Sequence, residues 1–229
     1  MAWRSSGNTN KELVNNLIKN AIIQTERVKN AMLAVDRGDF TQTCPYEDRP
    51  QSIGYNATIS APHMHAAALE FLNDHLKEGA KVLDVGCGSG YLTTCMALMV
   101  GSTGSVIGID HINELVNESI RNVKKHHINL LDNGNITFIT GDGRMGYCAK
   151  APYDAIHVGA ASKGLPQELV DQLAEGGRMM IPVELSSGNQ VFTQVDKHIG
   201  GRVTESVVEH VIYVPLTSRD EQLKRNLNW

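Results

Sequence analysis

Apolar positions follow two rhythms along this chain, changing near residue 80. In the first part the spacing is helical. From Thr9 to Asn20, Leu13, Leu17 and Ile18 recur at helical intervals, and Thr9 with Glu12 makes a capping box. A second helix is predicted from Thr25 to Val35. "RGDFTQTCPYEDRPQSIGYN" then breaks the pattern with Gly, Pro and Asp, predicting a long irregular passage of the kind that usually carries function in a compact domain. It leads into "ATISAPHMH", Ala57 to His65, which reads as the mouth of a helix running from about Pro62 to Leu76. Ser60 is the expected N-cap, Pro62 suits the first turn, and two hydroxyls and two histidines crowd this mouth.

Beyond residue 80 the apolar runs become short and β-branched. "AKVLDVG", "SVIGID", "ITFITGD" and "YDAIHVG" each end in Gly or Asp, with helical patterns such as "ELVNESIRNVKKH" between them. Strands alternating with helices predict a parallel sheet covered on both faces. "GGRMMIPV" is a fifth strand. "NQVFTQVDKH" and "GRVTESVVEHVIYVPL" form a hairpin across "IGG", and "SRDEQLKRNL" is a short terminal helix. The expected fold is α/β, doubly wound and Rossmann-like, mostly parallel with an antiparallel edge hairpin and N-terminal helices. The length fits one domain, residues 1–229, with residues 1–60 as a helical and loop extension and 61–229 as the core.

Composition narrows the chemistry. A net charge of −4 provides no basic field for phosphates, so general binding of nucleic acid is not expected. The four cysteines, Cys44, Cys87, Cys95 and Cys148, form no CxxC pair and fit reduced thiols. The start has no apolar signal region, and no run approaches the roughly 20 apolar residues of a membrane span. A cytosolic, membrane-free protein is the expectation.

Gly86, Gly88 and Gly90 in "VLDVGCGSGY" follow a strand and open a helix, where a doubly wound sheet holds an adenosine cofactor. A tight strand-to-helix turn also wants glycine for its own geometry. The spacing is GxGxG, not the GxGxxG of dinucleotide binders, and no GK[ST] follows. No basic residue lies in the loop, and Asp84 stands just before it, where its charge opposes a pyrophosphate. S-adenosylmethionine, with a positive sulfonium and no phosphate, suits this loop better. Asp110 ends the second strand, where an acid can accept from both ribose hydroxyls; Asp142 with Gly143 ends the third, where a carboxylate can take the adenine amino group. Each aspartate alone is equally a strand-ending turn residue.

The acceptor is a separate matter. After the fourth strand the chain reads "HVGAAS", without the Asn/Asp-Pro-Pro-aromatic set of adenine methyltransferases, and it has no Pro-Cys nucleophile for cytosine. His63 and His65 lack a third ligand at metal spacing, so no metal is expected. His157 reads as a satisfied core residue, and His126 and His127 suit a helix C-terminus.

"PQSIGYNATISAPHMHA", "LDVGCGSGY", "VIGIDH", "GDGRMGY", "APYDAIHVGAA" and "VIYVPLT" closely resemble the protein L-isoaspartate (D-aspartate) O-methyltransferase family, in its animal type, over nearly the whole chain from "MAW" onward. The resemblance implies methyl transfer from S-adenosylmethionine, leaving S-adenosylhomocysteine, to the α-carboxylate of isoaspartyl residues and more weakly to D-aspartyl carboxylates. Partners would be damaged proteins and peptides. It implies Ser60 as the catalytic residue. Ala57, Thr58, Ile59, Ser60 and His65 match the segment over the cofactor and against the acceptor. Asp84, Gly86, Gly88, Ser89, Asp110, His111, Asp142, Gly143, Thr217 and Gln222 match cofactor-site positions, and the strand from Ile212 through Val214 to Pro215 matches the substrate-holding portion. Cys87 stands where relatives often have Ser, which raises oxidation sensitivity of the loop, and Ser162-Lys163 replaces smaller apolar residues.

A carboxylate with a pKa near 4 is already ionised at pH 7, so displacement at methyl needs alignment and partial desolvation more than a base. Ser60 is therefore expected to position the acceptor, unless it serves only as a helix cap. A small-molecule carboxyl methyltransferase, a module that senses S-adenosylmethionine without transfer and a nicotinamide-dependent reductase are the competing classes. The reductase lacks its GxGxxG loop. A monomer most simply leaves an open cleft for a damaged chain.

Overall fold

The computed structural model describes residues 5–224; "MAW" and the last residues of the expected terminal helix lie outside them. Two helices lead. α1 (Asn10–Lys19) is capped by the Thr9 side chain, which accepts from the Glu12 N–H, and it buries Leu13, Val14 and Leu17. α2 (Glu26–Ala34) is capped by Thr25. Asn10 joins the two helices by donating from Nδ2 to Met32 O at 2.9 Å. α3 (Pro62–Leu72) supplies a further cap: its Glu70 Oε1 accepts from the N–H groups of Gln24 (2.7 Å) and Thr25 (2.9 Å) and from Thr25 Oγ1 (3.2 Å). One carboxylate thus satisfies donors that a helix start leaves orphaned.

The sheet comprises β3 (Lys81–Val85), β4 (Ser105–Asp110), β5 (Ile136–Thr140), β6 (Tyr153–Val158), β7 (Leu173–Glu184), β8 (Gln190–Lys197) and β9 (Val203–Val211). Their order is β5-β4-β3-β6-β7-β8-β9, parallel from β5 to β7 and antiparallel at β8 and β9, as the alternating sequence predicts. The chain leaves β3 toward β4 on one side and later returns to β6 on the other. Strand order therefore reverses at β3, and the crevice beyond its C-terminal end is the place such sheets hold ligands. α4 (Tyr91–Val100) and α5 (Asn113–His126) carry the chain between strands. They are followed by α6 (Ile128–Asp132) after α5, α7 (Gln167–Gln172) before β7, and α8 (Arg219–Lys224) at the end. α4 is buried along almost its whole length, as expected of a helix apolar on every side. No helix among the described residues is long and apolar enough to cross a membrane.

Four local expectations are corrected. The passage before Ala57 is not wholly irregular: β1 (Gln51–Gly54) pairs with β2 (Ala57–Ile59) in a hairpin. Its turn residues Tyr55 and Asn56 have φ of 53° and 55°, a left-handed pair of the type that closes two-residue hairpins. The cap of α3 is Ala61, without a side-chain cap bond, so Ser60 is not an N-cap. α3 ends at Leu72, four residues short of Leu76. Finally, β9 stops at Val211, and the chain from Ile212 leaves β8 to form a parallel bridge between Pro215 and Ala161.

Replacing Glu70 by Ala removes the acceptor of the exposed Gln24 and half-buried Thr25 N–H groups and should cost about 0.5–1.5 kcal/mol. The fall in Tm is then roughly 2–4 °C per kcal/mol for a chain of this size. An unchanged Tm contradicts the cap.

Candidate active site

The glycine loop sits where the strand order reverses. Gly86, Gly88 and Gly90 have φ of 76°, 52° and 84°, which glycine adopts without the steric cost a side chain would bring. One side of the loop is packed, for a Cβ on Gly90 would lie 3.0 Å from Ser119 Cβ. The other side is open: a Cβ on Gly86 would meet nothing within 4 Å. Three neighbouring elements hold the loop's backbone. The N–H groups of Gly86 and Cys87 donate to Ile109 O at 2.8 and 3.1 Å. From α5, Ser119 Oγ donates to Gly88 O at 2.8 Å and Asn122 Nδ2 to Ser89 O at 3.1 Å. Asp110 Oδ2 accepts from the Gly88 N–H at 3.1 Å, while its Oδ1 accepts from the Ile112 N–H at 3.0 Å.

Each Asp110 oxygen thus keeps a lone pair for a further donor such as a ribose hydroxyl. Burial pushes this carboxyl upward, opposed by the two N–H bonds and the nearby His111. Asp84 is equally buried, but both its oxygens are engaged: Thr93 Oγ1 donates to Oδ2 at 2.5 Å, and His157 Nδ1 lies 2.8 Å from Oδ1. Asp84 therefore offers a ligand its field more than a free lone pair. His157 is a partnered core residue, as its strand position predicts. An open glycine loop with no basic residue and two carboxylates behind it fits an adenosine cofactor bearing a cation and no phosphate.

β2 and the start of α3 form the opposite wall. Thr58, Ile59, Ser60 and His65 line a cavity of about 30 Å³ together with Asp84, Gly86, Gly88, Ser89, His157 and Gly159. The Ser60 side chain lies beside the Tyr213 phenol, whose pKa burial raises and Ser60 moderates. Ser60 O accepts from Arg37 Nη2 at 2.7 Å, and Arg37 Nη1 lies 3.2 Å from His65 Nδ1. Ala57 begins the same strand, paired with Gly54.

The remaining expected residues lie outside this cavity. His111 Nε2 is 2.8 Å from Gln222 Oε1. Gln222 Nε2 donates to Tyr55 O at 2.9 Å, and Asn56 Nδ2 donates to Gln222 O at 2.9 Å. Gln222 thereby fastens α8 to the hairpin turn and to the end of β4. Thr217 Oγ1 donates to the Glu221 carboxylate. Asp142 accepts from its own Arg144 neighbour, with Nη2 at 2.6 Å and Nε at 2.9 Å. That ion pair holds the Asp142 carboxyl below its usual range and must share a lone pair with any adenine amino group. Gly143 admits no side chain, since a Cβ would lie 2.6 Å from Val85 Cγ1. Ile212 is 92% exposed, whereas Val214 O accepts from the Ala161 N–H at 2.8 Å. Between them the Tyr213 N–H and C=O are both held by the Gln190 side chain. Cys87 is buried, and desolvation raises its thiol pKa well above normal, so the reactive thiolate behind the expected oxidation sensitivity is suppressed.

Sequence reading missed Arg37, Thr93, Ser119 and Asn122, and it gave Tyr213 only a place in the Ile212–Pro215 strand, with no role for its side chain. Ser119 and Asn122 carried a signal: they sit three residues apart on the buried face of α5, where polar groups need partners.

The fold and this crevice define the class of S-adenosylmethionine-dependent methyltransferases. Residues 8–221 match the family model for protein-L-isoaspartate(D-aspartate) O-methyltransferase (PCMT). The chain belongs to that family. It is 64% identical to a Caenorhabditis elegans protein-L-isoaspartate O-methyltransferase, covering 99% of this chain and 100% of the relative. It is 50% identical to protein-L-isoaspartate O-methyltransferase 1 of Arabidopsis thaliana, covering 96% of each. A crystal structure of a beta-aspartate methyltransferase (PCMT) from Plasmodium falciparum, in complex with S-adenosyl-L-homocysteine, superposes with a TM-score of 0.87 at 39% identity, over 92% of this chain and 99% of that one.

Replacing Asp110 by Ala should weaken S-adenosylmethionine binding by about 1–3 kcal/mol, through the lost acceptor and the slackened Gly88 N–H. Calorimetry showing an unchanged Kd contradicts the assignment of Asp110 to the cofactor.

Proposed function

We propose that this protein repairs damaged proteins by transferring a methyl group from S-adenosylmethionine to the α-carboxylate of L-isoaspartyl residues, and more weakly to D-aspartyl carboxylates. The ester then collapses to a succinimide that can reopen to aspartate. The observation that carries the reading is the placement of Ser60 on the wall facing the glycine loop, with no helix-capping duty.

When bound, the cofactor supplies an electrophilic methyl on a sulfonium. Asp110 and the glycine loop fix its position, and the buried Asp84 charge favours its cation. The acceptor arrives ionised at pH 7, so no side chain need remove a proton. Ser60 Oγ holds one carboxylate oxygen while the other is aligned for attack, and β2 covers the pair from water. For a peptide acceptor, the exposed Ile212 at the head of the 212–214 segment offers a surface against which an extended chain can lie. The segment's register is set by the Gln190 clamp on Tyr213. That surface favours a peptide over a small carboxylic acid.

An isoaspartyl peptide series of increasing length tests this reading. kcat/KM should rise as backbone groups reach the 212–214 segment, with small dicarboxylic acids inert; equal turnover of the small acids would move the acceptor to the small-molecule class. Replacing Ser60 by Ala should lower kcat by about 10- to 100-fold while Tm and cofactor Kd stay near wild type. Wild-type kinetics in that variant would remove Ser60 from the mechanism.

A further inference from the structure

Arg37 is the largest of the fully buried side chains, and it lies directly beneath the acceptor wall. It occupies a short 3₁₀ turn, Arg37–Asp39, between α2 and the hairpin. Burying a guanidinium is expensive unless a carboxylate pairs with it, yet among the described residues no carboxylate lies within ion-pair distance of Arg37. Asp48, the buried acid that acts on it electrostatically, spends Oδ1 on the N–H and ring of His63 at 3.0 and 2.7 Å. Asp48 Oδ2 and Arg37 Nε are both buried without a partner.

The bonds Arg37 does make run toward the site. Nη2 donates to Ser60 O at 2.7 Å, and Nη1 lies 3.2 Å from His65 Nδ1. The guanidinium stands 5.5 Å from the Tyr91 ring centre, and the His65 ring tilts against the same tyrosine at 5.1 Å. Arginine has only donors, so His65 Nδ1 must be the acceptor and the ring proton must sit on Nε2. With Nδ1 taken, Nε2–H is the donor left for the cavity that His65 lines.

We propose that Arg37 is a positioning residue for methyl transfer, fixing His65 as the neutral Nε2–H tautomer and pinning the Ser60 backbone so that the acceptor carboxylate meets two set donors above a buried positive charge. The inference rests on the assignment of Ser60 and His65 to the acceptor side. Two features separate this role from packing. A neutral donor holds the acceptor without placing a second cation against the sulfonium, and the charge that balances the carboxylate comes from below. The groups around His65 work in the same direction: burial, then the charges of Arg37, His157 and His63, all disfavour its protonated form, and Tyr91 covers its ring.

Nitrogen-15 NMR of ring-labelled protein tests the tautomer without reference to activity. Wild-type His65 should show a neutral ring protonated at Nε2 with no titration near the ordinary value of about 6.5, because burial and the Arg37 charge move its pKa well below it. A proton on Nδ1, or titration near 6.5, overturns the proposal. Arg37→Met should then give mixed tautomers, with kcat/KM for an isoaspartyl peptide down about 10- to 100-fold and cofactor Kd changed less than about 3-fold. Arg37→Lys, which keeps the charge and a donor, should recover part of the loss. If Arg37→Met binds cofactor and turns over peptide like wild type, Arg37 does not position the acceptor and the repair reading stands untouched. If wild type methylates no isoaspartyl peptide, the repair reading falls while the ring measurement still decides the tautomer.

Discussion

Two carboxylates, Asp84 and Asp110, are buried close together at the C-terminal edge of the sheet, and the Asp84 charge adds to the cost that burial puts on ionising Asp110. A buried carboxylate is tolerable only when donors surround it. Asp84 takes its donors from α4 and β6, through Thr93 and His157; Asp110 takes two backbone N–H groups, from the glycine loop and from the start of α5. Satisfying the pair therefore requires β3, β4, β6 and two helices to meet at one point. That meeting shapes the loop. The left-handed glycines, the Ser119 and Asn122 bonds from α5 and the open face at Gly86 follow from the same constraint.

Charge is divided across the crevice in a way that matches the reaction. Negative groups lie behind the glycine loop, the side the proposed function gives to the cationic cofactor. The buried guanidinium of Arg37 lies behind Ser60 and His65, the side the proposed function gives to the anionic acceptor. Both reactants lose water on entering, and fixed groups of opposite sign replace part of that hydration. The hairpin between the two halves is fastened by Gln222, which ties its turn to His111 at the end of β4.

Much of this was legible in the sequence because its signals are periodic or local. The β-branched runs ending in Gly or Asp gave four of the five parallel strands and "GGRMMIPV" the fifth, and the glycine spacing with Asp110 pointed to the crevice at the C-terminal edge of β3 and β4. The β1–β2 hairpin was hidden because its strands span only four and three residues, too short for alternation to register. Ser60 looked like a cap because it precedes Pro62 at the right distance. Ala61 takes the cap position, which leaves the Ser60 hydroxyl turned toward Tyr213. Arg37, and the meeting of the Tyr213 side chain with Ser60, could not be read from sequence: both reach across gaps of many residues, and only folding brings them to Ser60.

The central claim is that the acceptor is the misplaced carboxylate of an isoaspartyl residue. It is tested most directly with two peptides identical except for an aspartyl or an isoaspartyl linkage, each incubated with the purified protein and methyl-labelled S-adenosylmethionine. Base-labile, volatile label should appear with the isoaspartyl peptide and stay at background with its aspartyl twin. Equal labelling of both, or labelling of neither while the cofactor still binds, would contradict the account.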